Sequence, residues 1–319
     1  MDTQKYMLTS GKSIPFWAPN AELNKTVKTD IGIVGAGIAG LTTAYLLLKE
    51  GRKVAIVDDG AIGSGETSAH LTYVLDRRLK DLVQIHGEQK IKLALESHEI
   101  AIDTIEKICE QEKIKCDFKR VDGYLFLGRD GKSETLKEEF EKYKELGFKV
   151  SRQKSKFGLR IIFHNQARFH LGKYLRGLTD AVLRKGGKIF TDHVTKIKER
   201  KLFSKTGMIK ASQLVITNSQ INDSAKHIAW AGQVFEPHDG LAVIGKDPSL
   251  ENSYMINHSG NGLTNSTLGA IMINDMIMKR ANLWQEIYDP LRMTLKTAGQ
   301  LLKESQLAKS IKLAKKSEA

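Results

Sequence analysis

Cysteine is nearly absent from this chain: Cys109 and Cys116 are the only two among 319 residues. They sit in a highly charged stretch, with neither a C-x-x-C pair nor a Cys/His cluster around them. Cysteine-built zinc and iron–sulfur sites need such spacing, so neither is supported. The expectation is reduced structural thiols in a cytoplasmic protein. The first twelve residues carry Asp2 and no apolar core, so they do not read as a secretory signal. No clean membrane span is present either. Residues 31–48 reach the necessary length, but their glycines and the flanking Asp30 and Lys49 fit strand, turn and helix. The formal net charge is +13, yet basic residues are not interleaved with aromatics, so no nucleic-acid motif accompanies it. The charge could mean an anionic partner, but a solvated basic surface is the commoner explanation. An apolar fraction of 41% and a charged fraction of 27% describe a globular protein with one large or two modest domains.

What is present is concentrated in residues 30–58. Ile31 to Val34 form an apolar run, Gly35, Gly37 and Gly40 follow at G-x-G-x-x-G spacing, and Ala44 and Gly51 continue at helical spacing. A second apolar run, 53–57, ends in Asp58. In a strand–turn–helix–strand unit Gly35 permits the tight turn, Gly37 lets a pyrophosphate lie against backbone, and Gly40 lets the helix approach the strand. The N–H groups of Ile38 and Ala39 at the helix start, with the helix dipole, favour phosphate charge. Asp58 is placed to accept hydrogen bonds from a ribose.

Further along, residues 59–70 form a Gly/Ser/Thr-rich loop in which Asp59, Gly65 and Thr67 could reach a phosphate or ribose or stay at the surface. Helical periodicity covers 84–114, with His98 read as solvated among charged neighbours, and again 133–146 and 171–185, with Leu175, Leu178, Val182 and Leu183 inward. Strand patterns occupy 116–127, 149–163, 188–197 and 214–217, with a hairpin at 202–210. A short strand at 254–256 leads into a second glycine-rich turn, His258-Ser259-Gly260-Asn261-Gly262-Leu263-Thr264, and a helix to about residue 280. Two such helix starts suit one elongated ligand held at two points. The 291–319 tail is amphipathic, with seven Lys/Arg against two Glu. It is expected to dock on the body or fray rather than lie on a membrane.

In this order, these segments resemble the FAD-dependent oxidoreductases of the D-amino-acid oxidase (DAO) class, in the subgroup that often carries a C-terminal Rieske domain. The turn from Gly35 to Gly40 with Ala44, Gly51 and Asp58 is similar to the ADP-binding fingerprint, with Asp58 where the family usually has Glu. The 65–72 run resembles the loop past pyrophosphate and flavin, shortened. The resemblance places Val194 against the adenine and Thr217 with Asn218 at the strand returning to the cofactor. It places Gly240 in a late loop beside the flavin. Gly260, Asn261, Gly262, Leu263 and Thr264 fall at the helix start facing the pyrimidine ring. Only about ten residues, 220–229, stand where the family has most of its substrate-domain sheet, and no Rieske motif follows.

The resemblance implies an α/β fold with a Rossmann-like FAD/NAD(P)-binding three-layer domain. That domain is assembled from 30–75, 167–219 and 230–290, with a reduced α+β substrate domain at 76–166, an extension at 1–29 and the tail at 291–319. It implies FAD as cofactor, no metal, a small-molecule substrate, no nucleic acid, and hydride transfer from a C–H next to an amine. A flavin-binding remnant without turnover and an NAD(P)-dependent dehydrogenase remain the alternatives. No general base stands out; His164, His170 and His238 are the histidines within reach of such a role.

Overall fold

A computed structural model describes residues 23–60, 70–126, 133–155, 158–217, 237–257 and 261–293. Residues 1–22 of the extension, Gly65, Thr67, Asn218, the 220–229 link, Gly260 and the tail beyond residue 293 lie outside them.

The chain begins with β1 (Thr26–Lys28) and enters β2 (Ile31–Val34), α1 (Ile38–Lys49) and β3 (Val54–Asp58). A short β4 (His70–Leu71) precedes α2 (Leu79–His86) and α3 (Glu88–Gln111). The single helix expected over 84–114 is therefore two, broken where Gly87 adopts φ +85°. Then follow β5 (Lys119–Phe126), α4 (Ser133–Glu145), β6 (Val150–Ser155) and β7 (Gly158–Arg168). After α5 (Leu171–Arg184), the strand expected over 188–197 splits into β8 (Lys188–Thr191) and β9 (Lys196–Lys198). The hairpin β10 (Lys201–Phe203) and β11 (Met208–Lys210) leads to β12 (Gln213–Ile216). The last elements are β13 (Val243–Lys246), β14 (Ser253–Asn257), α6 (Gly262–Ile277) and α7 (Gln285–Tyr288).

The central sheet has the order β13-β14-β12-β2-β3-β8. All its strands are parallel except β13, which pairs antiparallel with β14. Strand alternation explains the layers on either side. Ile31, Ile33, Val54 and Ile56 point into a core shared with α1, α3, α5 and α6. Val34, Ala55 and Val57 point the other way, against Val27, Leu202 and Ile209 of a second sheet of order β1-β11-β10-β9. Helices, parallel sheet and meander are the three layers of a doubly wound nucleotide-binding fold.

A third sheet joins β4, β7 and β5, with β6 also on β7. One of its faces packs Phe163 edge-to-face on Tyr143 of α4, with ring centroids 4.8 Å apart. Residues 76–166 pack against the nucleotide-binding layers. The buried side of α3 (Ile91, Leu95, Ile102, Ile105) belongs to the same hydrophobic cluster as α1 and α6. Tyr45 of α1 also donates to Glu112 just past α3 at 2.9 Å.

Two local expectations are corrected. His98 is 2% exposed rather than solvated, because it occupies the inward stripe of α3. Leu183 is 42% exposed, since α5 turns it to solvent beside buried Val182. Cys116 lies beyond the end of α3, where Lys113 at φ 54° reverses the chain and carries its Sγ to 3.4 Å from that of Cys109. Both are free thiols. Their mutual contact and burial push the Cys109 thiol up, away from the reactive thiolate.

Candidate functional site

Because β14, β12, β2, β3 and β8 run parallel, their carboxyl ends share one edge of the sheet. Every described candidate residue lies along it. Gly35 follows β2, Asp58 ends β3, Val194 follows β8 and Thr217 follows β12. Asn261 and Gly262 follow β14, and Gly240 precedes antiparallel β13, whose start pairs with the end of β14 (Val243 with Asn257). At about 4.8 Å per strand the edge extends ~24 Å, the scale of an elongated ligand.

The three glycines of the first turn have different physical reasons. Gly35 sits at φ +101°, and a Cβ there would lie 2.3 Å from Thr217 Oγ1. Thr217 is held in that place by its own hydroxyl, which donates to Val34 O at 2.8 Å. A Cβ on Gly40 would lie 1.9 Å from Gly35 O, so that glycine sets the approach of α1 to the turn. A Cβ on Gly37 would meet nothing within 4 Å. No protein contact demands this glycine, and the space beside it is open. Gly37 is also the N-cap of α1 and brings no capping side chain. The first-turn N–H groups of Ile38, Ala39 and Gly40 have no intrahelical acceptor and face that space. Open backbone, uncapped donors and a helix dipole suit a pyrophosphate.

Asp58 closes this turn from below. Its carboxylate accepts from the backbone N–H of Ala36 and from that of Gly60, the latter at 2.8 Å. Burial raises its pKa, against the lowering effect of those two donors. Sequence reasoning gave Asp58 to a ribose and missed its bond to Ala36. An aspartate, one methylene shorter than glutamate, reaches back to its own turn, and each oxygen keeps a further lone pair for a ribose hydroxyl. Asp59, next along, holds His193 Nδ1 at 3.2 Å at the surface. Val194 packs into the cluster beneath the meander.

At the other end of the edge, residues 72–77 stitch two segments together. Asn261 Nδ2 donates to Val74 O, the Asn261 backbone N–H donates to Asp76 Oδ2 at 3.1 Å, and Thr264 Oγ1 donates to Thr72 O at 3.3 Å. Leu263 and Thr264 are buried, so their side chains serve packing, while Asn261 and Gly262 are half-exposed at the helix start. Asp76 was not foreseen, because its partner lies 185 residues away. It places a carboxylate at the α6 amino end, where the dipole favours negative charge.

Gly240 packs on Arg77, whose Cδ would lie 2.6 Å from a Cβ there. Arg77 donates to His238 O at 2.6 Å. Arg292 grips the same loop: Nε and Nη2 donate to the two oxygens of Asp239 at 2.9 and 3.1 Å, and Nη2 also donates to Leu241 O at 2.7 Å. With side chains only 11% and 18% exposed, this bidentate pair is shielded from solvent. Asp239→Ala would strand the guanidinium, and the expected loss is ~2 kcal/mol of unfolding free energy in denaturant melts. Asp239→Asn, which keeps one acceptor, should lose about half as much.

Of the three histidines singled out in the sequence, two are engaged away from this edge. His164 bridges Asp122 Oδ1 at 2.9 Å and Ser151 Oγ at 3.0 Å on the outer face of the third sheet. His170 caps α5, accepting from the Lys173 N–H at 3.3 Å. His238 belongs to the Gly240 loop. No group of three His, Cys, Asp or Glu residues that could hold a metal ion occurs among the described residues. No helix there is long and apolar enough to cross a membrane.

A sheet edge with an open Gly37 and a second helix start beyond it defines a dinucleotide-binding fold. The family described as FAD dependent oxidoreductase (DAO) matches residues 30–220, and the chain belongs to it. A putative Rieske 2Fe-2S iron-sulfur protein of Bacillus subtilis is 30% identical over 182 residues, covering 54% of this chain and 35% of that protein. A gamma-glutamylputrescine oxidoreductase of Escherichia coli is 22% identical, covering 69% of this chain and 52% of that protein. The chain thus spans about half or less of the length of these curated relatives. Among solved structures, glycine oxidase from Geobacillus kaustophilus shares the fold with a TM-score of 0.65 and 14% identity, over 82% of this chain and 98% of that one. The L-proline dehydrogenase from P. horikoshii does so with a TM-score of 0.62 and 14% identity, over 84% and 98%.

Proposed function

We propose that this chain is an FAD-dependent oxidoreductase acting on a C–H next to an amine, with an amine or amino-acid substrate. The observation that carries the cofactor half is the open face of Gly37 between two helix starts on one sheet edge. Bound FAD would supply the two-electron acceptor, which no side chain can provide. The chain's own residues bind and orient. The Ile38, Ala39 and Gly40 N–H groups receive the pyrophosphate, Asp58 receives the ribose, and the N–H groups at Asn261 and Gly262 favour negative charge at the far end. The names of the relatives support the substrate class, since one acts on gamma-glutamylputrescine and fold neighbours on glycine and L-proline.

The short 220–229 link favours a second reading, a flavin-binding remnant with little turnover. The purified protein separates the two. A yellow protein whose visible band is bleached anaerobically by a primary or secondary amine supports the oxidoreductase. A yellow protein that no amine bleaches supports the remnant. A colourless protein that binds a nicotinamide dinucleotide would overturn both.

A further inference from the structure

We propose that the outer face of the β1-β11-β10-β9 sheet docks on an anionic lipid bilayer. The strand register carries the argument. Lys28 pairs with Lys210, Lys210 with Lys201, and Lys201 with Lys198. One lysine from each strand thus falls in a single row across the sheet, about 4.8 Å apart and ~14 Å end to end. The neighbouring row of Val27, Ile209, Leu202 and Ile197 points inward to the core. Beyond it Lys196, in register with Phe203, returns to the outer face. These four strands carry five lysines and no acid.

Like charges directly opposite one another destabilise a sheet. Counter-charge reaches only half of this row. Among the described residues Glu199, in the β9–β10 turn, is the one acid paired with it, 3.6 Å from Lys198 and 3.7 Å from Lys201. Lys28 and Lys210 are exposed, with no ion pair among the described residues. An anionic partner laid on this face would relieve the remaining repulsion.

The chemistry of the row selects the partner. A protein interface core is built on aromatic and arginine anchors and is depleted in lysine. Here Phe203 and Met208 are half-buried and the row has no arginine. Duplex nucleic acid is read by guanidinium forks, and single strands stack on exposed aromatics; the face offers neither. Lysine ammonium groups are point charges without a preferred fork, and a flat array of them matches headgroup phosphates and carboxylates.

Sedimentation of the full 319-residue chain with lipid vesicles tests this. Binding is expected to phosphatidylcholine mixed with phosphatidylserine, to vanish with phosphatidylcholine alone, and to be lost at high salt. The Lys28→Gln/Lys201→Gln/Lys210→Gln variant should bind ~100-fold more weakly, at roughly fivefold per lysine. Its visible spectrum should equal the parent's, and its melting temperature should be no lower, since removing opposed like charges relieves the sheet. The exposed single change Lys28→Gln should cost ~5-fold and serves if the triple variant does not fold. Equal binding by parent and variants would overturn the proposal and move the contact to the 291–319 tail. No binding to anionic vesicles, or preference for an RNA duplex over them, would also overturn it.

Discussion

Replacing Gly37 with Ala or Val is expected to leave the protein's stability nearly intact and strip it of flavin, whereas the same changes at Gly40 should destabilise it strongly. The two positions lie three residues apart in one motif, and a sequence pattern treats them alike. The structure separates them by what a new Cβ meets. At Gly37 it meets nothing within 4 Å; at Gly40 it lies 1.9 Å from a backbone oxygen that cannot move aside without opening the turn. At Gly37 the N-cap position weakens by ~1 kcal/mol or less for Ala. At Gly40 the overlap is of the kind that costs ~3 kcal/mol. Thermal melts with and without added FAD, together with the 450 nm-region spectrum of the purified variants, distinguish the outcomes. A Gly37→Val protein that keeps its flavin would remove the pyrophosphate from this turn. A Gly40→Val protein with the parent's melting temperature would show that α1 can lift from β2 without loss.

What the sequence disclosed and what it hid follow from the range of each interaction. The turn from Gly35 to Asp58 is local, so spacing alone located its strands, its helix and its open backbone. The register of α3 was equally local. Ile91, Leu95, His98, Ile102 and Ile105 recur at three- and four-residue steps, and that stripe already places His98 inward. Judging His98 by its charged sequence neighbours rather than by its helical phase led to the opposite expectation. The break at Gly87 was there to be read as a glycine within a periodic run. Other features had no local trace. Asp76 reaches Asn261, Arg292 grips Asp239, and Lys28 enters a row with Lys210 through a parallel pairing that joins opposite ends of the first two hundred residues. Each depends on topology that no window of sequence contains. The packing of residues 76–166 was hidden for a related reason. Composition gave no boundary, and only packing shows that α3 shares its apolar face with α1 and α6.

His98 should make the protein lose stability as the pH falls from about 6.5 to 4. The ring lies between α3 and the first turn of α6, with Nε2 3.1 Å from Asn265 Oδ1. The neutral tautomer carrying its proton on Nε2 donates that bond, and Nδ1 is left without a partner. Burial lowers the pKa to about 4, with the Asn265 bond a smaller opposing effect. An imidazole in the unfolded chain titrates near ~6.5. The folded value is the depressed one, so the favoured native form is the neutral ring. Above pH ~6.5 neither state binds the proton and His98 carries no penalty; below it the unfolded chain takes up a proton that the native state refuses. By pH 5 the difference amounts to ~2 kcal/mol. Below about pH 4 the native ring also charges, and a cation then sits beside the positive end of the α6 dipole. His98→Gln keeps a donor for Asn265 and removes the titration. Its unfolding free energy, from denaturant melts at pH 7.5 and pH 5, should therefore fall less than the parent's by that ~2 kcal/mol. Parallel curves for parent and variant would mean that the ring finds water or rotates out before it protonates. The first turn of α6 would then not depend on His98 for its place on the cofactor edge.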